Sequence, residues 1–236
     1  MTEQRYSANK ELRLIKAEEL DKAANLMADC FSLDPGVIAQ MTGLAGCPAG
    51  GPVTGRALEV LRQLCFFQVQ GFAAQRAVWV LEAYDEPQKP IALLIGYPNR
   101  QIPFWKYYPL LLKISASFRQ VLQKEEWPLI KQNSKAYASS APTPAWRKKC
   151  CGKAYYYLMV AAVSAEYKGT GAFRRLIAPV LAACDDRQLP IVLETDNPKN
   201  IPIYEHFGFQ TTETVTNKTW DLIDTHMVRW PHAVAL

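Results

Sequence analysis

The sequence predicts an α/β fold, with a mixed sheet, a parallel pair at its centre and helices on both faces. The C-terminal half runs from a strand-like stretch, Tyr155–Val163, through a helical one, Gly171–Asp185, to a second strand-like stretch, Ile191–Thr195. A strand, a helix and a strand joined by short connections make a parallel pair crossed by the helix. Val78–Ala83 and Pro90–Tyr97 are apolar runs separated by Tyr84–Lys89, so they read as an antiparallel pair and make the sheet mixed. The length of 236 residues, 49% of them hydrophobic, suits one large domain or one domain with a sizeable insertion.

From the N-terminus, Leu12 and Leu14 alternate with charged neighbours in Glu11–Lys16, a first strand. Leu20, Ala23, Ala24, Met27, Ala28 and Phe31 recur at helical spacing, with Glu18 and Glu19 at the end where acids are favourable. Asp34–Pro35–Gly36 reads as the stop of that helix, Gly43–Gly55 as a loop and Leu58–Phe72 as a helix. Pro103–Lys149 is aromatic, basic and punctuated by Pro103, Pro109, Pro128, Pro142 and Pro144. It reads as one or two inserted helices: a cap packed on the core, a lid or wall for the acceptor substrate, or a membrane-surface helix. Gly171–Asp185 places Leu176, Ile177, Val180, Leu181 and Cys184 on one face, with Pro179 expected to bend the helix. Ile201–Phe207 is a short helix closed by Gly208, and Phe209–Val215 and Trp220–Trp230 are a final strand pair.

Composition excludes several classes. A net charge of +5, without a basic stripe interleaved with aromatics, argues against nucleic acid and fits an anionic ligand. The cysteines Cys30, Cys47, Cys65, Cys150, Cys151 and Cys184 include no CxxC pair, so neither a zinc site nor any other metal is expected. Met1–Arg13 lacks the apolar stretch of a secretory signal, which points to reduced thiols and a cytoplasmic location. No run approaches the ~18 apolar residues of a spanning helix, so no membrane partner is expected.

The chemistry concentrates in two stretches. Tyr167–Lys168–Gly169–Thr170–Gly171–Ala172–Phe173 joins a buried strand to a helix. Its glycines let the backbone turn tightly, and the helix start aims free N–H groups at the loop. That geometry binds diphosphates, and Lys168, Arg174 and Arg175 add positive charge. Neither a P-loop nor a dinucleotide fingerprint is present. The second stretch is Leu193–Glu194–Thr195–Asp196–Asn197–Pro198–Lys199–Asn200–Ile201–Pro202–Ile203–Tyr204–Glu205–His206–Phe207–Gly208–Phe209.

Together these stretches resemble, in order and distance, the pyrophosphate motif and the following strand–Asn–Tyr–Gly-Phe motif of the GNAT superfamily of N-acetyltransferases. Ala23–Pro35, Tyr157–Glu166 and Thr225–Trp230 are similar to elements of its puromycin-acetyltransferase-like branch. Pro98–Lys149 matches nothing in the family. The resemblance implies a single acyl-CoA N-acyltransferase domain over 1–236, with a helical insertion at about 98–150 before the central strand and a sheet that is partly splayed. It implies acetyl-CoA as co-substrate, direct acetyl transfer to a primary amine, and no metal. The acceptor, whether a small molecule or a protein amine, stays open, as do acyl chain length and a homodimer.

By position, the resemblance assigns the pantetheine to Ala161 and Val163. It assigns the diphosphate to Lys168, Gly169, Thr170, Gly171, Ala172 and Phe173, a cofactor contact to Asn200 and the general acid to Tyr204. Phe173 stands where the family usually has Gly or Ala, so either its ring points away from the cofactor or the loop is shifted. The central strand has no carboxylate to serve as base; Glu194 is a candidate, directly or through water, and the general base stays open. Each has a plain rival: a core ring for Tyr204, a helix cap for Asn200, a satisfied structural carboxylate for Glu194. The alternative function is a non-catalytic CoA-binding sensor; a further one is an interaction module docking through Phe104–Trp127.

Overall fold

The computed structural model describes residues 12–83, 86, 89–138 and 145–232. Met1–Glu11, most of the Tyr84–Lys89 connection, and Pro142 and Pro144 lie outside them. The described strands form one seven-stranded sheet. They are β1 (Leu12–Leu14), β2 (Val78–Glu82), β3 (Pro90–Pro98), β4 (Tyr156–Val163), β5 (Ile191–Thr195), β6 (Gln210–Asn217) and β7 (Leu222–Arg229). The order is β1-β2-β3-β4-β5-β7-β6, and β4 with β5 is the parallel pair. The expected mixed α/β sheet is therefore the observed one.

One face carries α1 (Leu20–Phe31), α2 (Pro35–Met41) and α3 (Gly55–Ala73), and the other α7 (Ala172–Asp186) and α8 (Ile201–His206). On α7, Leu176, Ile177 and Val180 are fully buried against the sheet. Each such side chain contributes roughly 1.5–3 kcal/mol relative to exposure. Leu181, assigned to the same face, is only half-buried. Pro179 lies inside α7, which continues to Asp186.

Two expectations are corrected. Asp34–Pro35–Gly36 does not simply stop a helix. Asp34 caps α2, its side chain accepting from the Val37 amide at 3.4 Å, and Pro35 takes the first position, where a missing N–H costs nothing. Among the described residues, the segment read as one or two helices holds three: α4 (Phe104–Val121), α5 (Glu126–Ala138) and α6 (Ala145–Cys151). Pro109 sits inside α4, whose outer side leaves Phe104, Trp105, Tyr108 and Leu112 exposed. The inner side of the insertion joins the core through Leu110, Ile114, Phe118, Ile130 and Trp146.

Two details of the sheet prepare the site. Opposite Ile95–Gly96, β4 carries one extra residue, Met159, so Met159 and Val160 both turn to the α1 face. Such a bulge bends the strand. Next, β4 and β5 pair only through Tyr156↔Ile191 and Tyr157↔Val192, after which β5 continues against β7 alone.

Candidate functional site

The parting of β4 from β5 leaves a gap beyond Tyr157 and Val192, lined by backbone that makes no β4–β5 ladder bonds. Ser164 N–H donates to the Ile91 carbonyl, which fixes the phase of the β3–β4 ladder. By the alternation of an antiparallel ladder, Ala162 faces β3, whereas Ala161 and Val163 turn their N–H and C=O groups into the gap. The Val163 carbonyl accepts from Cys30 Sγ at 3.1 Å, so the polar groups left for a ligand are those of Ala161 and the Val163 amide. Burial pushes the Cys30 thiol up to about 11, keeping it a protonated donor.

At one mouth of the gap lies the loop 168–173. Gly169 and Gly171 adopt φ of 79° and 83°, a region that side chains disfavour, and nothing lies within 4 Å of a Cβ built on either. Gly171 leads directly into α7. The amides of Ala172, Phe173 and Arg174 have no acceptor among the described residues, the first helical bond being Arg175 N–H to the Gly171 carbonyl. An open, turned loop with free donors at the start of a 15-residue helix fits a diphosphate. The Phe173 ring points away from it, packing edge-on against Phe207 at 5.3 Å and Tyr204 at 6.0 Å.

Tyr204 is half-buried between Phe173 and Phe209, and its hydroxyl has no hydrogen-bond partner among the described residues. Burial, with the negative charge of Asp34 adding to it, pushes the phenol up to about 12. The group is therefore protonated at neutral pH. Asn200 precedes α8 without capping it, and its Nδ2 lies 3.4 Å from Thr195 Oγ1. The side chain that caps this region is Asn197, which accepts from the Lys199 amide at 3.1 Å.

Glu194 is not a free base. Its Oε1 accepts from Trp146 Nε1 and Arg147 Nε, both at 2.7 Å. Arg147 in turn lies 3.6 Å above the Tyr157 ring. Both donors belong to α6, so the insertion clamps this carboxylate onto the sheet.

The structure gathers carboxyls that were not assigned from sequence. Glu194 faces the α1 side, and period-two alternation carries Asp196, just past β5, to that side too. Tyr137 of α5 donates to Asp196 Oδ2 at 2.8 Å. Asp34, at the start of α2, lies near enough for the Asp196 charge to act on it. Burial first, then the Asp196 charge, raises Asp34 well above the ordinary carboxylate range. Asp224 of β7 is pushed up to about 7 by burial and by the charges of Glu194 and Asp196. The approach is close because residue 36 is glycine: a Cβ there would stand 1.8 Å from Asp196 Oδ2. Among the described residues no group of His, Cys, Asp and Glu side chains is arranged to hold a metal ion. No described helix is long and apolar enough to cross a membrane.

No family model matches the chain. A Schizosaccharomyces pombe protein described as an uncharacterized N-acetyltransferase is 43% identical over 60 residues, 25% of this chain and 24% of that protein. The chain thus matches about a quarter of that relative's length. Among solved structures, one described as a histone acetyltransferase and related acetyltransferase from Corynebacterium glutamicum superposes with a TM-score of 0.60 at 15% identity, covering 96% of this chain and 98% of that one. Arylalkylamine N-acetyltransferase 2 from Aedes aegypti gives 0.58 at 10% identity, covering 94% and 98%. The chain has the fold of the GNAT acetyltransferases, and the likeness read from its two motifs stands at the level of that superfamily. None of these matches carries a placement in the puromycin-acetyltransferase-like branch.

Proposed function

We propose that the protein is an N-acetyltransferase that moves the acetyl group of acetyl-CoA directly onto a primary amine. The observation that carries this reading is the gap between β4 and β5, which has a diphosphate-shaped loop at one mouth and the free Tyr204 hydroxyl beside it.

Bound acetyl-CoA would supply an activated thioester. The residues present fit it: free amides of Ala172, Phe173 and Arg174 for the diphosphate, with Lys168 and Gly169–Gly171 shaping the loop. Ala161 and the Val163 amide offer strand-like hydrogen bonds to the pantetheine amides. Asn200, at the start of α8, borders the same side. Tyr204 holds a proton that the departing sulfur can take. The acceptor would enter from the opposite face, where α5 and α6 reach β5 through Tyr137, Trp146 and Arg147. This gives the insertion the role of a wall for the acceptor. The likeness to an arylalkylamine acetyltransferase fold is compatible with a small amine acceptor.

Calorimetry with acetyl-CoA tests the reading. One site per chain is expected, abolished by Gly171→Trp while circular dichroism stays native. A folded wild type that does not bind acetyl-CoA would overturn the assignment.

A further inference from the structure

The helix α4 is apolar on two opposite sides. Leu110, Ile114 and Phe118 are buried in the core, as expected of a helix packed on a protein. On the side that faces away, Phe104 and Trp105 are 75% and 74% exposed, and Tyr108 and Leu112 follow Phe104 at one-turn spacing, exposed as well. Phe104 stacks on Tyr108 with ring centroids 6.0 Å apart, so these side chains make one continuous surface. Four of the nine exposed large apolar side chains among the described residues fall within Phe104–Leu112. Such residues scattered singly are ordinary, whereas a cluster of them rimmed by polar groups marks a docking surface.

The charge around this face selects its partner. From Phe104 to Val121 there is no Asp or Glu, while Lys106, Lys113 and Arg119 are present. Lys106 and Lys113 lie about two helical turns apart, so both stand on one flank of the apolar face. There, with Trp105 and Pro109, they border a groove between α4 and α3. Arg119 lies over the Trp127 ring, 5.4 Å from its centroid. A second copy of the chain meeting this face about a twofold axis would bring the same cations together, with no acid on α4 to match them. An anchor for a protein partner would sit in a pocket, but Phe104, Tyr108 and Leu112 stand outside the groove, on the convex side of the helix. Aromatic and leucine side chains flanked by lysines suit the boundary of an anionic bilayer. The rings enter the apolar layer, the indole N–H and phenol O–H stay at its polar edge, and the lysine stems reach the phosphates.

We propose that the outer face of α4 docks on an anionic lipid bilayer, with Phe104, Trp105, Tyr108 and Leu112 inserted and Lys106 and Lys113 against the headgroups. The expectation of no membrane partner rested on the lack of a spanning run, which concerns crossing a bilayer and not lying on one. The proposal does not depend on the N-acetyltransferase reading.

Flotation of the full chain with vesicles tests it, using phosphatidylcholine alone and phosphatidylcholine mixed with phosphatidylserine. The chain should float with the mixed vesicles, less with phosphatidylcholine alone, and less as salt is raised. Phe104→Ser combined with Trp105→Ser should weaken partitioning about tenfold or more, and Lys106→Glu combined with Lys113→Glu likewise, with native circular dichroism. A second measurement needs neither double variant: brominated lipid should quench the wild-type tryptophan fluorescence, and Trp105→Phe should lose most of that quenching. A folded wild type that does not float with the mixed vesicles would overturn the proposal. So would flotation retained by both folded double variants, or quenching unchanged in Trp105→Phe. Sedimentation equilibrium tests the rival occupant: a dimer that dissociates when Phe104 and Trp105 become serine would give the face to a second copy and overturn the lipid assignment.

Discussion

Tyr204 and Gly36 show how much can hang on one atom. Removing the Tyr204 hydroxyl leaves its ring packed on Phe173 and Phe209, so the fold should not notice. Tyr204→Phe is expected to lower kcat by about 10²-fold or more, as loss of a positioned general acid does, with the dissociation constant for acetyl-CoA unchanged by calorimetry. Gly36→Ala acts in the reverse way. Its methyl would occupy the place of Asp196 Oδ2, a carboxylate already held by Tyr137. Overpacking of this kind costs about 1–3 kcal/mol, read as a lower urea midpoint. Neither Asp34 nor Asp196 was legible as a neighbour of the other. Asp34 read as punctuation and Asp196 as part of a loop, and 160 or so positions of chain separate them. Alternation offered a signal: Glu194 and Asp196, like Asp224 and His226, put polar groups two apart on one face of strands that are otherwise core.

At the scale of elements, α6 is a clamp. Trp146 and Arg147 both seize Glu194, and side-chain exposures of 12% for Arg147 and 14% for Glu194 leave that pair little water. Removing one partner strands the other, so Arg147→Met should cost about 3–5 kcal/mol in urea unfolding. Arg147→Met combined with Glu194→Gln should recover much of that loss. The insertion is also where sequence reading stopped short. The diphosphate loop is local, written in consecutive residues, and its glycines and helix start are found by inspection. Tyr137, Trp146 and Arg147 reach the site only through tertiary packing, from a segment without a recognisable pattern. The Phe173 departure resolves in the same manner, its ring turning into the cluster of Tyr204 and Phe207.

For the whole molecule, the raised carboxyls set a pH dependence. Asp224 is protonated in the native state up to about 7 but in the unfolded chain only to about 3.9. Between those values the native state binds the extra proton, so stability falls as pH rises. Asp34 acts in the same direction. Glu19, Glu126 and Asp185, each held by an arginine below its ordinary value, act in the opposite direction and lose their contribution in acid. Urea midpoints measured from pH 4 to 8 should therefore fall across the upper part of that range, and Asp224→Asn should flatten the fall. The strands, the parallel pair and the buried faces of the helices were readable from period and turn residues. The electrostatic asymmetry was not, because it arises where four separate stretches of the chain converge.

The two rungs that join β4 to β5 carry a consequence for the cohesion of the sheet. Strands β1–β4 and strands β5–β7 are stitched by Tyr156–Ile191 and Tyr157–Val192, and beyond them the halves are held by side chains rather than by ladder. A molecule lying along Ala161 and Val163 would act as a substitute strand, supplying the missing rungs. Amide hydrogen exchange at those two positions should be fast in the free protein and slow sharply when the gap is filled.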